Sequence, residues 1–271
     1  MKKVDSNECI VCYLDILGYS DFIKNRVMSP QECYKKISNI LKQSLLAAKE
    51  KPPGDLNKLK KAISFIMLSD SIIITFDLKQ FNNGNYFGLP KDNRIRVVKK
   101  QFFILVSRFL LKFMLSFKLL VRGGIATGSY FQRPYINKSG LFIYSNAYIT
   151  AVELEERVAS SPRILIENKL AMDIIRLDHN QIIINQDKDG LWFFNIYFPL
   201  FSMSKKEGKR LTNKIGTFII NSIEYFEKKT SSLKTLKILQ KYYWLNNYHK
   251  EKLKELVIRW QSMPLKPKSQ S

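Results

Sequence analysis

Cysteine and histidine are the scarce residues of this chain, with three and two among 271 residues. The one pair with metal-like spacing, Cys9-x-x-Cys12, has no second pair to complete a zinc site, and both histidines lie far along the chain. The pair also falls in a run that reads as a strand, where an offset of three sends two side chains to opposite faces. These shortages exclude a zinc module and a disulfide framework, and they leave buried thiols in a reducing cytoplasm. Long apolar runs are missing too. The most apolar helical stretch, Phe102–Leu120, is broken by Arg108, Lys112 and Lys118, so it reads as a buried helix plus a strand and not as a membrane span. The first residues are charged and polar, unlike a secretory signal, and the expected location is cytoplasmic.

Acidic residues are also in short supply. There are 23 Asp and Glu against 45 Lys and Arg, a formal net charge of +22. Such a field can gather anionic nucleotides. A dedicated nucleic-acid reader is not expected, because lysine outnumbers arginine roughly threefold and is spread along the whole chain. Abundant Lys, Ile and Asn also fit a plain compositional bias. The remaining balance, 45% hydrophobic and 25% charged, is that of an ordinary globular protein. Two parts are expected: a catalytic domain over residues 1–200 and a helical extension over 201–271, with disorder confined to the tail Leu265–Ser271.

Glu8–Leu14 reads as a buried strand ending at Asp15-Ile-Leu-Gly18. Helical spacing follows from Tyr19 to about Lys49, split by Pro30 with Ser29 as a cap and stopped by Lys51-Pro-Pro-Gly54. Ala62–Leu68 and Ile72–Phe76 form a hairpin around Ser69-Asp70-Ser71. A loop at Phe81–Asp92, a long helix at Ile95–Phe117 and a strand at Leu119–Ala126 come next. Further short strands are expected at Leu141–Ile143, Arg163–Ile166, Gln181–Ile184 and Trp192–Ile196. Helices are expected at Asn146–Val158, Lys169–Ile175, Lys209–Phe226, Leu233–Leu245 and Tyr248–Trp260. The β-αα-ββ-α-β order argues for an α+β fold, a ferredoxin-like sheet packed by helices on one side, followed by a helical C-terminus.

Asp15 and Asp70 stand out by their company. Each sits at the end of strands that, past Glu8 at the start of the first, admit no other charge, and the fold would bring both to one sheet edge. Carboxylates that close repel unless a cation lies between them. Hard cations such as Mg²⁺ take one or two carboxylates together with substrate phosphates. The backbone then turns through Ile16, Leu17, Gly18 and Tyr19 into a helix whose free amides form a cradle for phosphate. The plainer reading makes Asp15 a helix cap, Ser69-Asp70-Ser71 a simple turn and Tyr19 a core aromatic.

Tyr13-Leu-Asp15-Ile-Leu-Gly18-Tyr19 resembles the Asp-Ile-x-Gly-Phe motif of class III nucleotidyl cyclases, and Ser69-Asp70-Ser71 resembles their second metal-binding hairpin. A finer resemblance is to bacterial pyrimidine cyclases of Pycsar anti-phage systems. It runs through Leu120-Val-Arg122-Gly123-Gly124-Ile125-Ala-Thr-Gly128, Ala151-Val-Glu153-Leu154-Glu155, Ser161-Pro162-Arg163-Ile164 and Asp189-Gly190 with Phe194-Asn195. The resemblance implies a homodimer that uses two divalent cations, Mg²⁺ or Mn²⁺, on Asp15 and Asp70. It implies conversion of UTP or CTP to the 3′,5′-cyclic monophosphate and pyrophosphate, as a signal to a separate effector. One position departs from the pattern. Conventional adenylyl cyclases carry an Asn and, four residues on, an Arg that stabilises the transition state, whereas here Asn146 is followed by Thr150. Arg122 is the first candidate for that cation, then Arg157 and Arg163. Each could instead pair structurally with Glu153, Glu155 or Glu156. A purine cyclase, or a nucleotide- or RNA-binding protein on the same fold without turnover, are the alternatives.

Overall fold

The computed structural model describes residues 7–47, 60–81, 91–134, 141–177, 182–229 and 232–262. The expected stop at Lys51-Pro-Pro-Gly54, the tail Leu265–Ser271 and most of the loop at Phe81–Asp92 lie outside them. Two compact units are present, Met1–Ile196 and Tyr197–Ser271. The boundary expected after residue 200 falls within the 3-10 turn Phe198–Ser202 of the second unit.

In the first unit, strand β1 (Asn7–Leu17) leads into a short helix α1 (Tyr19–Lys24) and then α2 (Pro30–Ala47). Ser29 caps α2 through a reciprocal box. Its hydroxyl accepts from the Glu32 amide at 3.2 Å while the Glu32 carboxylate accepts from the Ser29 amide at 3.0 Å. Strands β2 (Ile63–Leu68) and β3 (Ser71–Asp77) form the hairpin, helix α3 spans Lys91–Phe117, and β4 spans Leu120–Pro134. The sheet order β2-β3-β1-β4 places β1 centrally and antiparallel to both β3 and β4. With the βααββαβ chain order, this is the ferredoxin-like α+β arrangement.

Beyond that core come β5 (Leu141–Ser145), α4 (Asn146–Glu153), β6 (Ile164–Ile166), α5 (Asn168–Leu177), β7 (Ile184–Gln186) and β8 (Trp192–Phe194). They extend the sheet to the order β2-β3-β1-β4-β6-β8-β7, with β5 paired to the far end of β4.

Helices cover both faces of the sheet, not one as expected. The alternate residues Ile10, Cys12, Leu14 and Ile16 are buried on the face they share with Ile72, Ile74 and Phe76. Helix α3 covers that face, with Phe102 5.5 Å from Phe76 and Phe109 5.5 Å from Phe65 between ring centroids. Each Phe fully buried there stabilises the fold by about 1.5–3 kcal/mol. Cys9 and Val11 point the other way, into a cluster with Ile73, Ala126, Ala147 and Ala151. That second apolar face needs a cover, and the small residues of α4 supply it. The offset of three does separate Cys9 from Cys12, and both thiols are buried.

The second unit consists of the 3-10 turn Phe198–Ser202, helix α6 (Lys205–Glu227) and helix α7 (Leu233–Ser262). Two helices were expected where α7 runs unbroken. Asn246 and Asn247 are weak helix formers, but Leu245, Tyr248 and His249 around them are buried, so packing overrides local propensity. Among the described residues, no helix is long and apolar enough to cross a membrane.

Candidate functional site

Asp15 lies one turn of the strand ladder from the end of β1, opposite Ser71 on β3 and Arg122 on β4. The hairpin tip is tied to it directly. The Ile16 amide donates to the Asp70 carbonyl at 2.8 Å, so the residue after one aspartate holds the backbone of the other. Ser69 takes the left-handed conformation at φ 55° to make this tight turn. Asp70 is exposed at the tip, whereas the Asp15 side chain is only 18% exposed. Ser71 has its own task, a 2.8 Å hydrogen bond with the Tyr13 hydroxyl beside Asp15. Burial, opposed by that hydrogen bond, pushes the Tyr13 phenol above its ordinary value, and the charges of Glu155 and Asp15 add to the rise.

Asp15 is not a helix cap. The N-cap of α1 is Gly18 at φ 82°, a left-handed conformation that favours glycine, and no side chain caps the helix. The four cradle residues differ in what they can offer. The Ile16 amide is spent on Asp70 and its side chain is buried in the core. Leu17 is paired in the sheet opposite Leu120. Gly18 and Tyr19 stand at the helix start, which has no side-chain cap. Tyr19 stacks on Phe22 with centroids 6.4 Å apart, and its phenol is pushed up by burial and then by the charges of Cys33 and Asp70.

Arg122 sits at the centre of the site. Its Nε donates to Asp15 Oδ2 at 3.0 Å, and one terminal nitrogen donates to the Ala159 carbonyl at 3.3 Å. Glu155 lies against the same Nε at 2.5 Å, with its side chain 3% exposed. The structural alternative is therefore present, with Arg122 the ion-pair partner of Glu155, and the same guanidinium stands beside Asp15. The other two arginines stand elsewhere. Arg157 pairs with Glu153 at 3.4 Å on the surface, and buried Arg163 is held by Asp187 at 2.6 Å and by Asp189. Asn146 accepts from the Ser129 hydroxyl at 2.9 Å.

Sequence reasoning missed how Glu155 gets there. After α4 the chain widens into a π-type turn, Leu154–Val158, closed by the Ala159 amide on the Leu154 carbonyl at 3.0 Å. This one turn presents both the Glu155 carboxylate and the Ala159 carbonyl to Arg122. Nothing in the run Glu153–Glu156 marks which glutamate is buried. The only signal is indirect, the unexplained Arg122 inside an apolar strand.

The donor set suits a hard divalent cation. Asp15 and Glu155 set two carboxylates against the Arg122 guanidinium, and the backbone of exposed Asp70 is tied to the residue after Asp15. Among the described residues no cluster of three or more His, Cys, Asp or Glu could form a metal cage. Mg²⁺ takes one or two protein carboxylates and completes its shell with water and substrate phosphates, so Asp15 with Asp70 would be a sufficient protein donor set.

No family model matches the chain, and no curated protein does. Solved structures similar to it include the adenylyl cyclase CyaB from P. aeruginosa. It is 16% identical, and the match covers 70% of this chain and 94% of that one with a TM-score of 0.41. The guanylyl cyclase Cya2 is 11% identical over 70% of this chain and 92% of its own, with a TM-score of 0.37. A bacterial light-regulated adenylyl cyclase is 11% identical over 72% of this chain and 52% of its own, with a TM-score of 0.38. At these identities and scores the substrate and the chemistry rest on the chain's own residues.

Proposed function

We propose that this chain is a metal-dependent nucleotidyl cyclase that converts UTP or CTP to the 3′,5′-cyclic monophosphate and pyrophosphate, a second messenger for a separate effector in anti-phage defence. The observation that carries the reading is the bond from the Ile16 amide to the Asp70 carbonyl, which joins two aspartates on one sheet edge. Asp15 and Asp70 would hold two divalent cations, Mg²⁺ or Mn²⁺. Such ions, when bound, neutralise the triphosphate and make the ribose 3′-hydroxyl more acidic.

The chain's own residues position and neutralise. Gly18 and Tyr19 offer backbone amides to phosphate oxygens. Arg122 supplies a fixed cation beside Asp15, where negative charge would build as the α-phosphorus is attacked. Preorganised charge of this kind needs no rearrangement during the reaction, and cyclisation demands little else of the protein. The pyrimidine substrate and the signalling role rest on the sequence resemblance around Ser69-Asp70-Ser71 and Leu120–Gly128. A homodimer is part of the same reading, and exposed Phe142, Tyr144 and Ile149 offer an apolar surface for a second copy.

One observation favours a second reading, a nucleotide- or RNA-binding protein without turnover. Arg122 already occupies Asp15 Oδ2, as a cation would. The test is incubation with all four nucleoside triphosphates and Mn²⁺, resolving products by chromatography and mass, with Asp70→Ala alongside. A cyclic pyrimidine monophosphate that falls at least about 100-fold in the variant is expected. A purine product would replace the substrate class and keep the site. No product with any nucleotide would leave a missing activator or the binding protein, and would shift the weight toward the latter.

A further inference from the structure

Asp15 faces a conflict. A divalent cation and the Arg122 guanidinium both carry positive charge and would compete for its carboxylate, where Arg122 already holds Oδ2. We propose that Glu155 is a positioning residue that resolves this conflict: it holds Arg122 at the edge of the site so that Asp15 is free to take a metal ion. The inference rests on the metal-site reading above.

The geometry supplies the reasons. Arg122 reaches Asp15 along its Nε–H, at 3.0 Å, and reaches Glu155 by charge at 2.5 Å. Glu155 is the more deeply buried of the two carboxylates, 3% exposed against 18%, so its attraction to the guanidinium is less screened by water. A buried carboxylate that lost its cation would be strongly destabilised, which ties Arg122 to Glu155 more firmly than to Asp15. The Ala159 carbonyl adds a neutral acceptor from the same π-type turn. Local π-type widening of a helix is often found at functional sites, and here it aims two acceptors at one guanidinium. When a cation arrives at Asp15, Arg122 can release that oxygen without leaving the site. It remains near enough to face the phosphates.

Binding of Mn²⁺ alone, followed by electron paramagnetic resonance, tests this without any turnover. Glu155→Gln leaves Arg122 with Asp15 as its one carboxylate partner among the described residues, and Mn²⁺ affinity should fall about fivefold, the order of one partly screened charge pair. Arg122→Gln should raise it. The decisive comparison is the double variant. If Glu155 acts through Arg122, Glu155→Gln has little effect once Arg122 is glutamine. If Glu155 merely adds a negative field, it weakens Mn²⁺ equally in both backgrounds, and the proposal is overturned. Should Arg122→Gln fail to fold because buried Glu155 loses the guanidinium, the double variant, which removes both charges, is compared with the wild type. Acting through Arg122 predicts tighter Mn²⁺ than wild type; a simple field predicts no change.

Asp15→Asn separates the two levels. Wild-type binding that Asp15→Asn does not reduce would sink the metal-site reading and this inference with it. Binding lost in Asp15→Asn but indifferent to Glu155→Gln would keep the site and reject the role of Glu155.

Discussion

Replacing Gly124 by alanine tests whether the site depends on the close seating of α4 against β4. A Cβ at this position would stand 2.1 Å from the Ala151 carbonyl oxygen and 2.9 Å from Leu154 Cβ. Relief to ordinary contact requires the two backbones to part by roughly 1.3 Å, since interiors are close-packed and the nearest atom is not a flexible side-chain tip. Neither side yields easily. Gly124 lies opposite Tyr13 of β1 and Leu165 of β6, and Ala147 and Ala151 are completely buried. Overpacking of this kind costs about 1–3 kcal/mol, and the backbone contact puts it at the upper end. For a unit of this size that is a fall of roughly 6–12 °C in Tm. Calorimetry of the Met1–Ile196 transition, with urea unfolding as a second measure, reads it. Gly190→Ala is the comparison: its Cβ meets nothing within 4 Å, but φ 81° imposes a strain of about 1–2 kcal/mol. Because α4 leads directly into Leu154–Val158, Gly124→Ala should also weaken Mn²⁺ binding, while Gly190→Ala should not. A Gly124→Ala protein within about 0.5 kcal/mol of wild type would refute the reasoning, because the cost of overpacking would then be missing.

Three further outcomes are expected. The Arg163 hydrogen bond holds the Asp189 carboxyl below its ordinary value of 3.8, so its stabilisation is complete above that pH and lost as pH falls through the folded value; Arg163→Met should therefore be less stable than wild type at neutral pH, with the Asp189 part of that gap closing in acid, as urea unfolding at the two pH values will show. Burial lowers the His249 ring below 6.5, so the unfolded ring takes up its proton first and the Tyr197–Ser271 unit should lose stability as pH drops below that value. His249→Phe should remove that slope from melts followed by circular dichroism, and a slope that survives would show that another group titrates. The Cys9 thiol is pushed up to about 12 by burial and then by Asp77 and Glu8, and Cys12 is higher still. Ellman's reagent at mild alkaline pH should leave both intact in the native protein and react with both in urea; rapid native labelling would contradict the burial of β1.

The parts of the fold that were legible in the sequence are those whose signal is local. β1 and the hairpin show as short apolar runs bounded by turn residues, and the α2 cap shows as Ser29-x-x-Glu32. Where distant packing decides, the reading fell short. The strand expected to end at Ala126 continues to Pro134, because its second half pairs with the start of β1 and with β5, neither of which local pattern reveals. The strand expected at Gln181–Ile184 instead occupies Ile184–Gln186, set by its pairing with β8 across the Asp187–Gly190 turn. Asp15 and Asp70 were legible because charge is conspicuous among apolar strands. The path from Arg122 to Glu155 was not, because it depends on sheet register and on one widened helical turn.

That path gives physical content to the departure at Thr150. A helical arginine at that position would reach the substrate on a long side chain whose rotamers must be ordered. Arg122 instead lies directly opposite Asp15 in the β1–β4 ladder, and its guanidinium is ordered by Asp15, Glu155 and the Ala159 carbonyl. The helix still contributes, but with the opposite charge and a turn later, through Glu155. In the proposed site the strand therefore supplies the cation and the helix end restrains it. Loss of an arginine from the helix does not by itself argue for loss of turnover, provided that Arg122 can let go of Asp15. The Mn²⁺ experiment on Glu155 and Arg122 measures that release.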